Sequence, residues 1–364
     1  MSWKQFLAEM GFGPEAVQSI AGMWNEPWRV YHTEANHLVP LFDALMRESL
    51  AGEARDSLLL AAVFHDVVYD PRERDNEEQA CRVFDQMARE NAKLHGCAVV
   101  DDVKRIIDNT KPSNYRGIAP GSLEDVFVRH DISHLTVDDP NAWLDQERLI
   151  QKEFQFVDWD DYRKGKSALL REIEASYPAV ARAARFITHQ INTTAPHIGL
   201  YAGTFAPFHL GHLNILKKAE KVFDKVIVLA GRNPEKDPIP GMRARLADIL
   251  KYHQVVFHDG LLSEFIGGLN YPVTMIRGLR TDTDFKKEEI NLRWMQSLSR
   301  QPVSMVFIPC DKELEHVSSS MIRMVCSFDE AAARKYIVDT DMVYATDQIS
   351  GCSNLRAARI EGID

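Results

Sequence analysis

The sequence predicts two domains in series: an all-α domain over residues 1–190, then an α/β domain with a parallel, doubly wound sheet over residues 197–364. Three observations lead there. From residue 198 onward, short continuous apolar runs alternate with helical periodicity, the pattern of strands covered on both faces by helices. Before residue 190 the apolar spacing is helical, and the halves meet at a polar stretch, 190–196, that contains Asn192, Thr193, Thr194 and Pro196. A chain of 364 residues with 45% hydrophobic content has material for two ordinary cores.

In the first half, residues 58–69 are apolar almost all round and read as a buried helix; 99–109, 143–156 and 162–186 carry amphipathic spacing. In the second half the expected strands are 198–201, 225–231, 255–258, 273–278 and 303–309. Helices are expected over 213–223, 242–252, 261–268 and 285–300. Ligands of such sheets sit at the carboxyl ends of the strands, and the chemistry-bearing residues cluster there. The first strand runs into Gly203, Thr204 and Phe205 and then into His209-Leu-Gly-His212. Gly203 is expected to let backbone approach a ligand, and a helix beginning near Gly211 to offer unpaired N–H groups and a positive dipole end. His209 and His212, three apart, can converge on one anion. Lys236 follows the second strand, and Arg277, Gly278 and Arg280 close the fourth, so these cations fall at the same edge. Attack on a triphosphate needs such donors, because the transition state and the departing pyrophosphate gain negative charge.

Composition narrows the partners. A net charge of −10 without a polybasic block argues against nucleic acid and anionic membranes, so phosphorylated ligands are drawn by local cations. Five cysteines without CxxC spacing read as reduced thiols, and no apolar run approaches spanning length; a soluble, cytoplasmic protein is expected. Trp24, Trp28 and Trp143 read as packing residues rather than a base-stacking platform.

The motifs GTFAPFHLGH (203–212), GRNPEK (231–236), DGLL (259–262), RGLRTDTDF (277–285) and SSSMIR (318–323) appear in family order, and residues 198–338 resemble the phosphopantetheine adenylyltransferases. The resemblance implies a Rossmann-like nucleotidyltransferase that moves AMP from Mg-ATP to pantetheine phosphate, with Mg2+ accompanying ATP. It also implies roles. Thr204 and Lys236 would hold the pantetheine phosphate and the reacting phosphoryl group, and His212, with His209, would stabilise the transition state. Arg280 and Ser318, Ser319 and Ser320 would bind the triphosphate beside Gly203, Phe205 and Gly278, while Arg277 and Leu262 would line the pantetheine side. Assembly into a homo-oligomer through this half is expected. Departures stand at Ala206, where the family usually has Asp, at His209, where it has a Thr or Ser-like residue, and at Lys286-Lys287, where it has an acidic-aromatic pair. They leave open another acceptor, such as nicotinamide mononucleotide.

The first half has its own chemistry. The apolar run 58–64 ends in His65-Asp66, which puts an imidazole and a carboxylate where a buried helix meets a polar loop. Tyr31-His32-Thr-Glu-Ala-Asn-His37 lies upstream and Asp131 downstream. Nitrogen and carboxylate ligands with room for water suit Mn, Fe, Co, Ni, Zn or Mg. The order H…HD…D, over residues 28–173, resembles the HD-domain phosphohydrolases. By that resemblance His32 or His37 supplies the first metal ligand, His65 and Asp66 the central pair, and Asp131 the last, for an unidentified phosphorylated substrate. His32 is preferred because it follows the tyrosine of this subgroup, whereas His37 continues a helical stripe with Val39, Leu41 and Phe42. Asp75, Asn76 and Glu77 read as an acidic helix cap as readily as catalytic groups. The subgroup's histidine after Thr-Lys is Pro112 here, which leaves a non-catalytic nucleotide-sensing domain as the alternative.

Overall fold

Eight consecutive residues, Ser57 to Phe64, are buried along the helix Gly52–Phe64, because their side chains are apolar or small on every face. The helices Trp3–Glu9, Val39–Leu45, Asn76–Arg89, Ala98–Asp108 and Leu123–Asp131 pack around it. The central helix stops earlier than its apolar run suggests. Beyond Phe64 the carbonyls of Asp66 and Val67 accept the buried Arg29 guanidinium (2.7 and 3.0 Å), so helical hydrogen bonding gives way there to a side chain. In this computed structural model residues 1–232, 239–280, 282–299 and 302–344 are described.

The amphipathic stretch expected as one helix over 162–186 is two, Trp159–Ser176 and Ala181–Thr193. Pro178 explains the break. It has no N–H to donate and pushes Tyr177 out of the helical region, to φ −128° and ψ 82°. The last helix runs to Thr193, into the stretch read as a linker, and a first compact unit, Met1–Pro196, ends soon after.

The second unit begins at His197. Its five strands are β1 Ile198–Gly203, β2 Lys225–Gly231, β3 Gln254–His258, β4 Thr274–Leu279 and β5 Ser304–Pro309. They form one parallel sheet in the order β3-β2-β1-β4-β5, with Ile198 opposite Lys225, Gly199 opposite Thr274 and Thr274 opposite Ser304. The chain builds outward from β1 through β2 to β3, then crosses back to β4 on the other side of β1. That reversal opens a crevice at the carboxyl ends of β1 and β4. Gly199 is required by close packing: a Cβ there would lie 2.5 Å from Ile276 Cδ1 and 2.9 Å from the Phe223 ring. Among the described residues no helix is long and apolar enough to cross a membrane.

Candidate functional sites

The crevice holds a cavity of about 290 Å3 lined by residues 201–205 at the end of β1, by His209 and His212, by Arg277, Gly278 and Arg280 at the end of β4, and by Ser318, Ser319 and Ser320. His209 caps the helix Leu210–Ala219: its Nδ1 accepts the Gly211 N–H at 3.1 Å. The Leu210 N–H donates to the Tyr336 carbonyl at 3.0 Å. The helix thus begins beside Gly211, as expected, but the N–H groups of Leu210 and Gly211 are already used. With Nδ1 accepting, neutral His209 carries its proton on Nε2. The His209 and His212 rings stack with centroids 3.6 Å apart and planes at 25°. Burial, then Arg280, pushes His209 down to about 4; burial, His209 and Arg280 push His212 well below its ordinary value. Both rings are neutral near pH 7, and the buried His212 Nδ1 makes no hydrogen bond.

The glycines here answer to neighbours as well as to ligands. A Cβ on Gly203 would lie 2.9 Å from Phe205 Cζ, which folds back at φ +48°, and one on Gly278 would lie 2.8 Å from Ile215 Cγ1. Arg277 points into the same cavity, held by Glu288 (Nε to Oε2, 2.7 Å) and by the Ala202 carbonyl (2.7 Å). It lines the first cavity and not the second described below. The serine turn is partly occupied too: Ser318 Oγ caps the helix Ser319–Cys326 through the Met321 N–H, and Ser319 Oγ donates to the Pro207 carbonyl.

A second cavity, about 460 Å3, shares Thr204 and Phe205 with the first and extends past Ala206, Arg232, Met242, Arg243, Leu246, Phe257 and Arg323. Arg323 bonds the Ala206 carbonyl and Ser320 Oγ. Leu262 opens the helix Leu262–Gly267 and lines neither cavity. Lys236 lies outside the described residues. Glu288 was not anticipated; the carboxylate sits one helical turn after Phe285, but nothing in the sequence shows that it meets Arg277.

In the helical unit, His37, His65, Asp66 and Asp131 come together. His37 Nε2 lies 3.0 Å from His65 Nε2, 3.1 Å from Asp131 Oδ1 and 3.6 Å from Asp66 Oδ2; His65 Nε2 lies 3.2 Å from Asp66 Oδ2. His65 Nδ1 donates to the Ala62 carbonyl at 3.0 Å, which leaves Nε2 with the lone pair when the ring is neutral. Two imidazole nitrogens at this separation repel unless a proton or a cation lies between them. Burial would lower His65, but Asp66, then Asp131 and the Ala62 carbonyl, raise it to about 9. Burial would raise Asp66, but His65, His32 and His37 hold its carboxyl well below the usual range. The donor set fits a divalent cation, with His37, His65 and Asp131 mutually within 4.8 Å.

His32, preferred above as the first ligand, stands one step out. Its Nε2 is 4.0 Å from Asp66 Oδ2 and its Nδ1 is 2.6 Å from Glu153 Oε2. The stripe that counted against His37 is what buries it at the cluster, on a wide π-helical turn, Glu34–Leu38, that leads into the next helix. Glu153 was missed, because it lies 121 residues from His32 and reads as one more charge on an amphipathic helix. Asp75 precedes its helix without a side-chain cap bond, and Asn76 instead braces the loop through Asp70. Trp24 and Trp28 are anchored by indole N–H bonds to the Val63 and Tyr69 carbonyls, and Trp143 is buried.

The parallel sheet, its crevice at β1 and β4, and the paired histidines opposite two arginines define a nucleotidyltransferase domain, and residues 200–325 match the family model described as cytidylyltransferase-like. Three relatives named phosphopantetheine adenylyltransferase align with the same part of the chain. That of Rhodopirellula baltica is 33% identical over 139 residues, 36% of this chain and 76% of its own length. Those of Haemophilus ducreyi (35% over 132 residues, 35% of this chain, 81% of its own) and Mycoplasma capricolum (32% over 134 residues, 35% of this chain, 95% of its own) are similar. Through this second unit the chain belongs to the phosphopantetheine adenylyltransferase family.

Proposed function

We propose that the second unit transfers AMP from Mg-ATP to pantetheine 4'-phosphate, giving dephospho-CoA and pyrophosphate on the route to coenzyme A. The observation that carries this reading is a pair of cavities that meet at Thr204 and Phe205, one beside the histidines and Arg280, the other larger, partly apolar and arginine-bearing. ATP would occupy the first and the acceptor the second, so that the acceptor phosphate meets the α-phosphorus from the side opposite the leaving pyrophosphate. Glu288 is committed to Arg277, so Mg2+ enters with the triphosphate as part of the substrate and lessens its charge. The chain's own work is positioning and charge stabilisation. His209 and His212, neutral and dry, offer N–H donors to the transferring group, and Arg280 offers charge to the departing phosphates. Lys236 is assigned to the acceptor phosphate on the resemblance of its motif alone. The test is mass spectrometry of products from ATP with pantetheine 4'-phosphate or nicotinamide mononucleotide. Dephospho-CoA is expected; a dinucleotide from the second acceptor instead overturns the assignment.

The helical unit is read as a metal-dependent phosphohydrolase of HD type, on the convergence of His37, His65, Asp66 and Asp131. These four would hold the cation, whose chemistry would be to supply a nucleophile near neutral pH and to polarise a phosphoryl oxygen. Metal analysis after supplementation with Mn, Fe, Co, Ni or Zn tests it; a chain that takes up none of them is a binding module. Cytoplasmic location and assembly through the second unit are part of the same proposal, and gel filtration with light scattering measures the latter.

A further inference from the structure

Glu153 ends the helix Pro140–Glu153 and is 2% exposed. A carboxylate at that depth needs donors for its lone pairs, and this one has five. Its Oε1 accepts the backbone N–H groups of Val30 (2.7 Å), Tyr31 (2.7 Å) and His32 (2.9 Å). Its Oε2 accepts the Tyr69 hydroxyl (2.9 Å) and His32 Nδ1 (2.6 Å). From the other side Arg29 donates to the carbonyls of His32 (3.3 Å) and Asp66 (2.7 Å). A dry anion and a dry cation thus hold the turn before His32 by its N–H and C=O groups, and one of them also grips the loop that carries Asp66.

The two oxygens of Glu153 cannot exchange roles, since three N–H groups occupy Oε1. A carboxylate oxygen only accepts, so His32 Nδ1 carries a proton. The ring is pinned as well: Tyr69 stacks on it with centroids 4.2 Å apart, and Tyr31 meets it edge-on at 4.9 Å. What remains is Nε2, 4.0 Å from Asp66 Oδ2, in a side chain 20% exposed.

We propose that Glu153 is a positioning residue of this centre: it keeps a proton on His32 Nδ1 and so aims His32 Nε2 across Asp66 at the place where a substrate meets the cation. The inference rests on the cation reading given above. His32 then stands outside the ligand set, and its Nε2 faces the reacting phosphoryl group or the water that attacks it. The isosteric Glu153→Gln separates this from a merely structural role. Its carbonyl oxygen must stay on the three N–H groups, so its NH2 faces His32 Nδ1, which becomes an acceptor while Nε2 takes the proton.

The experiment uses the full chain labelled with 15N-histidine, with His32 assigned from His32→Gln, before and after addition of Zn2+. In the wild type a proton on His32 Nδ1 is expected, shifted downfield by the short bond, and Zn2+ is expected to move the Nε2 signals of His37, His65 and His32. In Glu153→Gln the Nδ1 proton should be lost and the His32 response to Zn2+ with it, while His37 and His65 still respond. A wild-type Nδ1 without a proton overturns the proposal, whether or not the variant folds. A Zn2+ response of His37 and His65 without His32 in the wild type, or a His32 response unchanged in Glu153→Gln, overturns it while leaving the cation site standing. Silence of all three histidines overturns the cation reading and, with it, the aim assigned to His32.

Discussion

Among the described residues, His37 faces His65 and His209 stacks on His212, with ring centroids 5.2 and 3.6 Å apart. Their surroundings are opposite. Carboxylates of Asp66 and Asp131 surround the first pair and raise His65 to about 9, so the site draws positive charge. Arg280 stands near the second pair and, with burial, lowers His209 to about 4, so that site draws negative charge. A histidine motif therefore does not carry a ligand's sign. The sign comes from which charged groups the fold brings to the imidazoles, carboxylates in one case and a guanidinium in the other.

The largest effect is expected at Asp66. Asp66→Ala is expected to abolish stoichiometric divalent metal binding while leaving adenylyl transfer by the second unit at the wild-type rate. Removing the carboxylate leaves His37 and His65 with one anionic partner, Asp131. Thermal unfolding should show the consequence, since a metal at a hundredfold excess over its Kd adds about 2.7 kcal/mol to the wild type and nothing to the variant. Metal retained at one equivalent in Asp66→Ala would sink the cation site.

The anion side has the next largest effect. His212→Ala is expected to lower adenylyl transfer by about two to three orders of magnitude, the scale for losing one preorganised donor, while ATP affinity changes only a few-fold. Steady-state rates beside calorimetric binding of ATP decide this, and a variant within threefold of wild-type turnover contradicts the role.

Acid sharpens the contrast. The folded pKa of His209 lies below its ordinary 6.5, so the folded state resists protonation: its stability is intact above pH 6.5 and falls as pH drops toward about 4. The loss from this one group is about 3 kcal/mol. Urea unfolding of the second unit at pH 7 and pH 4, followed by limited proteolysis and mass spectrometry, should show a smaller decline in His209→Gln than in the wild type. Equal declines would mean that the ring is not forced to stay neutral.

The smallest effect is steric. In Gly278→Ala the new Cβ would lie 2.8 Å from Ile215 Cγ1, on the helix that carries His212, so helix and strand must separate slightly. A loss of about 1–3 kcal/mol in urea unfolding is expected, with a few-fold fall in turnover. An unchanged urea midpoint would show that the contact relaxes freely.

The sequence by itself determined the helical half, the parallel sheet and the crevice at the ends of β1 and β4, because apolar periodicity reports burial and strand-helix alternation allows few topologies. The strand 225–231 is the plainest case, with residue-for-residue agreement between apolar run and β2. Local contacts were less legible. The break at Pro178 was readable from proline chemistry, but the early stop at Phe64 depends on Arg29, 37 residues from its partner Asp66. At the sites, residue types and order pointed to an anion centre and a cation centre, yet tertiary structure alone decided that His37 meets His65 and that His32 belongs to Glu153. It likewise decided that Arg277 is held by Glu288 and that His209 spends a nitrogen on its own helix. These are pairings between side chains far apart in the chain or around a cap. Periodicity records which face a residue turns inward, and carries no information on which buried donor will find which acceptor there.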